Sequence, residues 1–321
     1  MRAMCSIIML SNSLIKEPDM PELKPKPLPT ELSFKGLFAA NTDYEYFLDA
    51  EGQPFRFDAV TFQSVNAWWL AEASLLVYVR DQVFVSQKLK KAGLPNTRFF
   101  EKKGTQSFVS HNDNFAIVCF RGTEVDEVQD ILDDLDLPLA KNGDRGKVHK
   151  GFKKALNRVW SEIEQYLQEI TAASDGGMNV WFTGHSLGAA LATLAADRYP
   201  AAQGVYTFGS PRVGNRRFCQ AYQPTVYRFV NNNDMVTMVP PAVGYRHIGL
   251  VKYIDDQGHI YDNPKCWVQL KSRIAGHLGH LEDVLHSWKN GDFTAIPADN
   301  LNDHAPIYYV VKIWNSHIKD I

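Results

Sequence analysis

Apolar positions recur every three or four residues across 60–80 and again across 153–173, where Leu156, Val159, Trp160, Ile163, Tyr166, Leu167 and Ile170 form one stripe. That spacing predicts two long helices, and Asp175-Gly176-Gly177 ends the second. Between them, 97–102, 106–110 and 115–120 are short runs rich in β-formers, parted by Gly104 and by Asn112-Asp113, and predict strands. The chain then predicts a strand at 179–183, a helix at 187–199 stopped by Pro200, and strands at 204–208 and 225–230. Strands alternating with helices predict the α/β class, with a mostly parallel central sheet flanked by helices. Residues 245–261, turning at Asp255-Asp256-Gln257-Gly258, predict a hairpin, and 307–314 a last helix.

Composition narrows this picture. The 321 residues are 45% hydrophobic and 22% charged, which suits a folded globular chain and excludes a disordered or fibrous one. The net charge of −2 gives no positive field, so no nucleic-acid partner is expected. The longest apolar stretch, 65–79, is interrupted by Asn66, Glu72 and Ser74, so no integral membrane segment is expected. Prolines 18, 21, 25, 27 and 29 bar helix and central strand and mark residues 1–32 as an extended leader, leaving 33–321 as one catalytic domain. The N-terminal residues lack an Ala-x-Ala-like cleavage site, which favours a cytoplasmic over a secreted protein. Cys5, Cys119, Cys219 and Cys266 form no Cys-x-x-Cys pair and read as buried thiols.

Candidate chemistry centres on Gly184-His185-Ser186-Leu187-Gly188, between a predicted strand and a predicted helix. Gly-x-Ser-x-Gly alone arises by chance in roughly one ordinary chain in fifteen. Its placement gives it meaning, because a tight strand-to-helix turn lifts a serine above the sheet and two glycines let neighbouring backbone approach. Ser186 is therefore the candidate nucleophile, and the Leu187 N–H at the helix start the first oxyanion donor. A serine needs a base, and the base an orienting acid. Asp234 stands at the end of a later strand and is the candidate acid; His304, in the turn before the last helix, is the candidate base. His280 and His286 are rivals but lie within a helical pattern, and His277-x-x-His280 lacks a third ligand, so neither a metal nor a cofactor is expected. Asp303 reads as a helix-start residue, His185 as a packing residue, and His149 as support for the site. Arg121 and Arg212 read as partners for carboxylates beneath it.

These segments together resemble the class 3, or fungal-type, lipases of the α/β-hydrolase superfamily. The resemblance rests on Phe120-Arg121-Gly122-Thr123, Val148-His149-Lys150-Gly151-Phe152, the Ser186 pentapeptide, Phe208-Gly209-Ser210-Pro211-Arg212-Val213-Gly214, Asn233-Asp234-Met235-Val236 and Asp303-His304 with Tyr308, in the family's order. It implies an α/β-hydrolase fold, a second oxyanion donor at Thr123, and a lid helix at 124–136 over the serine. It also implies a serine carboxylic-ester hydrolase acting on lipid esters, triacylglycerol lipase-like, working through an acyl-enzyme and touching a lipid interface transiently. The alternatives are a phospholipase A1 or monoacylglycerol hydrolase, or, from another class, a catalytically silent lipid-binding or interaction protein. Segment 124–136 carries seven acidic residues, from Glu124 to Asp136, which anionic bilayers repel; neutral esters are the expected substrates.

Overall fold

In a computed structural model, residues 23–29, 42–122, 138–174, 177–263 and 303–321 are described. Among them, eight strands form one mixed sheet in the order β1-β2-β3-β6-β7-β8-β9-β10. The strands are β1 (Asn96–Lys102), β2 (Thr105–His111), β3 (Phe115–Phe120), β6 (Asn179–His185), β7 (Ala202–Phe208), β8 (Val226–Asn231), β9 (Leu250–Ile254) and β10 (Ile260–Asp262). From β3 to β9 the pairing is parallel, and antiparallel hairpins close both edges. The α/β class is as the alternation predicts, and the 245–261 hairpin docks its first arm parallel to β8. A separate two-stranded ladder joins β4 (Leu139–Lys141) to β5 (Lys147–His149).

Each face of the sheet carries its own core. On one, α3 (Lys150–Ala172) buries Phe152, Leu156, Val159, Ile163 and Leu167, the stripe that its spacing of three and four dictates. Beneath it lies α4 (Leu187–Arg198), in which every residue from Gly188 to Ala196 is buried. The alanines 189, 190, 192, 195 and 196 let this helix sit close on the sheet while α3 covers it. On the other face, α1 (Ser64–Leu76) is buried from Val65 to Leu76, held between the strands and α6 (Pro306–His317). Trp68 of α1 meets Trp314 of α6 with ring centroids 4.7 Å apart. Burying aromatic surface there joins the C-terminal helix to the centre of the fold. Two further helices are α2 (Gln82–Lys91), capped by Asp81, and α5 (Arg216–Ala221), capped by Asn215.

The parallel strands fix where a site can form. The loops after β3, β6, β7 and β8 all leave the carboxyl end of the sheet, and that end of an open parallel sheet is where α/β folds place their ligand crevices. Cys119 is a free and buried thiol, as expected; Cys219 is free but half-buried, a correction to that expectation; Cys5 and Cys266 lie outside the described residues.

Candidate active site

The turn from β6 into α4 is held in an unusual backbone state. Ser186 has φ 57° and ψ −128°, a region costly to any residue with a Cβ, of order 1–3 kcal/mol. Its N–H donates to the Phe208 carbonyl of β7 at 3.0 Å, and its own carbonyl accepts from the Ala189 N–H at 3.0 Å, so sheet and helix pin the turn from both sides. The two glycines are steric necessities. A Cβ on Gly184 would lie 2.4 Å from the Gly188 carbonyl carbon, and one on Gly188 would lie 2.1 Å from the Phe120 oxygen. Leu187 opens α4, at the helix end where backbone N–H groups have no acceptor within the helix.

Asp234 follows β8 and is 1% exposed. Oδ1 caps the short 3₁₀ turn Met235–Met238 by accepting from the Val236 N–H at 2.9 Å, so the residue is a cap as well as a candidate acid. His304 Nδ1 lies 3.0 and 2.9 Å from Oδ1 and Oδ2. A carboxylate can only accept, so Nδ1 carries the hydrogen and Nε2 is the basic nitrogen of the neutral ring. Gly209, directly after β7, makes room for this pair: a Cβ there would lie 2.7 Å from Asp234 Oδ2 and 2.8 Å from His304 Nδ1. Since Phe208, the neighbour of Gly209, accepts from the Ser186 N–H, the structure gathers Ser186, Asp234 and His304 around the end of β7.

Three further residues complete the arrangement. Tyr309, one turn into α6, donates its hydroxyl to Asp234 Oδ2 at 2.5 Å and accepts from the Asn231 N–H at 3.0 Å. Burial, then the Asp234 charge, holds this phenol well above its ordinary range. Tyr308, the tyrosine of the sequence motif, is half-buried instead. Asp303 is more than a helix-start residue. Its Oδ2 accepts from Asn232 Nδ2 at 2.9 Å and the Asn233 N–H at 3.1 Å, tying the loop that carries His304 to the loop that carries Asp234. Burial pushes its carboxyl up to about 6.

His185 has a polar role beyond packing. Its Nε2 lies 2.6 Å from the His304 carbonyl and must donate, which leaves Nδ1 to accept from the Tyr78 hydroxyl at 2.9 Å. Burial, and then His304, pushes its pKa well below the usual histidine value, so the ring stays neutral. The sequence contained these side chains, yet no spacing rule pairs a residue with another more than a hundred positions away; adjacency to the motif residues was the available signal.

Several expectations fall elsewhere. Thr123, the segment 124–136 and the rival histidines 277, 280 and 286 lie outside the described residues. Gly122, directly before Thr123, packs so closely that a Cβ would lie 2.8 Å from the His185 carbonyl. His149 caps α3, its Nδ1 accepting from the Phe152 N–H at 3.3 Å. Arg212 meets the carbonyls of Met238 and Pro240 rather than a carboxylate, a correction to the expected pairing. Among the described residues no group of three or more histidine, cysteine or acidic side chains is placed to hold a metal, and no helix is long and apolar enough to cross a membrane.

Comparison with known proteins adds an independent line. The profile of the family described as "Lipase (class 3)" matches residues 117–244. The chain is 38% identical over 119 residues to secreted mono- and diacylglycerol lipase 1 of Fusarium solani, a stretch covering 34% of each chain. It is likewise 38% identical over 116 residues to the chloroplastic phospholipase A(1) DAD1 of Arabidopsis thaliana, covering 33% of this chain and 25% of that protein. These matches thus span about a third and a quarter of the two relatives. The solved triacylglyceride lipase of Rhizomucor miehei shares the fold, with a TM-score of 0.52 at 24% identity over 63% of this chain and 84% of that one. Across the strand, turn and helix that hold Ser186 and on past Asp234, residues 117–244 match the class 3 lipase family.

Proposed function

We propose that this protein is a serine carboxylic-ester hydrolase acting on lipid esters, with Ser186 as nucleophile, His304 as base and Asp234 as the orienting acid. The observation that carries the reading is the pair of 2.9 and 3.0 Å contacts from His304 Nδ1 to the buried Asp234 carboxylate, beside the strained Ser186 turn.

Ser186 Oγ attacks the ester carbonyl carbon while His304 Nε2 takes its proton, and Asp234 stabilises the imidazolium that forms. The carbonyl oxygen becomes an oxyanion held by the N–H groups of Leu187 and Thr123. As the C–O bond breaks, His304 returns the proton to the leaving alcohol. Water, activated by the same nitrogen, then attacks the acyl-enzyme and releases the carboxylate. Nucleophile, base and oxyanion donors all belong to the chain, so the cycle balances without a cofactor.

Lipid esters are supported by the family match and by relatives named as mono- and diacylglycerol lipases. A fluorophosphonate probe tests the nucleophile. Labelling of the folded protein is expected at Ser186, located by peptide mass; labelling at another residue, or none under conditions that open the site to detergent micelles, would overturn the assignment.

A further inference from the structure

On the face of the sheet away from α3 and α4, the described part of the leader is bound to the fold through the Lys26 side chain and through backbone bonds at Lys24 and Lys26. Lys26 extends between α1 and α6, and its ammonium lies 5.2, 5.3 and 5.1 Å from the ring centroids of Tyr44, Trp68 and Trp314. Three aromatic faces around one cation are the arrangement by which proteins recognise organic ammonium ions. Behind them lies Glu72 of α1, a carboxylate with no exposed side-chain surface. Its Oε1 accepts from Lys26 Nζ at 2.9 Å, from the Tyr44 hydroxyl at 2.8 Å and from Trp68 Nε1 at 2.9 Å, and Oε2 accepts from the Phe47 N–H at 3.4 Å. Lys26 also donates to the Tyr44 hydroxyl at 3.0 Å.

The walls of this box belong to the folded domain, and only its occupant belongs to the leader. Tyr44, Trp68, Glu72 and Trp314 come from the segment before α1, from α1 itself and from α6. Backbone bonds set the leader in register around the box: the Lys26 N–H donates to Asn315 Oδ1 at 2.8 Å, Asn315 Nδ2 donates to the Lys26 carbonyl at 2.9 Å, and Trp314 Nε1 donates to the Lys24 carbonyl at 2.9 Å. A carboxylate buried this deeply is costly without a cation, and a cation in an apolar box is costly without a carboxylate and ring faces. The two are complementary in charge and shape.

We propose that Tyr44, Trp68, Glu72 and Trp314 form a binding site for a primary alkylammonium ion, and that its resident ligand is the Lys26 side chain, so that residues 23–29 are held as a ligand of the fold. The ammonium is the recognised element: it satisfies Glu72 and Tyr44 through N–H donors and the rings through its charge. Binding alone reads the site.

Lys26→Ala in the full chain tests this, because it deletes three methylenes and the ammonium, the atoms that propylammonium supplies. The melting temperature of Lys26→Ala is expected to fall and to be restored by propylammonium, saturably and by at least half the loss. Propanol or sodium chloride at equal concentration restores nothing, and the parent protein does not respond. Equal restoration by propanol would reduce the effect to cavity filling and overturn the proposal, as would a folded variant that ignores propylammonium. Should Lys26→Ala fail to fold, the parent protein with ¹³C-labelled lysine decides: the ε-methylene resonance assigned to Lys26, told apart by sequential assignment from that of Lys252, whose ammonium lies 3.4 Å from the Phe62 ring centroid, is expected upfield from the ring currents, and an undisplaced Lys26 resonance would overturn the proposal.

Discussion

At Asp303 two demands on one carboxylate conflict. As an anion it accepts from Asn232 and from the Asn233 backbone, holding the Asp234 loop against the His304 loop. Burial raises its pKa to about 6, so the folded protein takes up this proton at a higher pH than the unfolded chain does. Its contribution to stability is therefore present in mild acid and lost as the pH rises through about 6, whereas the arrangement at Asp234 needs the ionised form. On a soluble short-chain ester, kcat/KM is expected to fall as the pH drops through about 6 and Asp303 takes up its proton. Asp303→Asn, which keeps an acceptor but no titration, should remove the part of that fall that Asp303 causes. Superimposable profiles for the two proteins would remove Asp303 from the account.

At the level of elements, the strand-to-helix turn at Ser186 depends on two absent side chains. Gly188 sits where a Cβ would lie 2.1 Å from the Phe120 carbonyl, and backbone cannot give way there as a flexible side chain could. Gly188→Ala should force α4 off β3 and lower stability by about 1–3 kcal/mol, the usual range for overpacking, seen as a lower denaturant midpoint. A midpoint equal to the parent's would mean that α4 is less closely seated. The same elements show what the sequence reveals. The strands and helices of the sheet were legible from short apolar runs and helical stripes parted by turn residues, and the candidate positions Ser186 and Asp234 could be picked out because each follows a strand, His304 because it precedes the last helix. Helix α2 was missed since only Val85 and Leu89 of its ten residues are buried, too few for a stripe. The β4–β5 ladder, with three residues per strand, carries no alternation to detect. His185 was assigned to packing because a tight turn sends consecutive side chains apart, and its bonds to His304 and Tyr78 depend on contacts that only folding creates.

For the whole molecule, the proposed action on lipid esters makes charge distribution a guide to the surfaces it favours. The chain's net charge is −2, and residues 124–136 hold seven acidic side chains and no basic one. An anionic lipid surface repels such a segment, and salt screens the repulsion over about 10 Å at 0.1 M. Turnover at low salt should be faster on neutral or zwitterionic interfaces than on anionic ones, with the gap narrowing as salt is added. Faster turnover on anionic vesicles would contradict this reading of the segment.

The most direct test of the central claim compares initial hydrolysis rates of the parent protein and Ser186→Ala on a soluble short-chain ester and on emulsified long-chain triacylglycerol. Loss of the nucleophile should lower both rates by about 10⁴-fold or more, with the variant's melting temperature close to the parent's. A folded Ser186→Ala protein that keeps near-parent activity on either substrate would show that the ester bond is broken elsewhere, and the assignment of Ser186, His304 and Asp234 would fall.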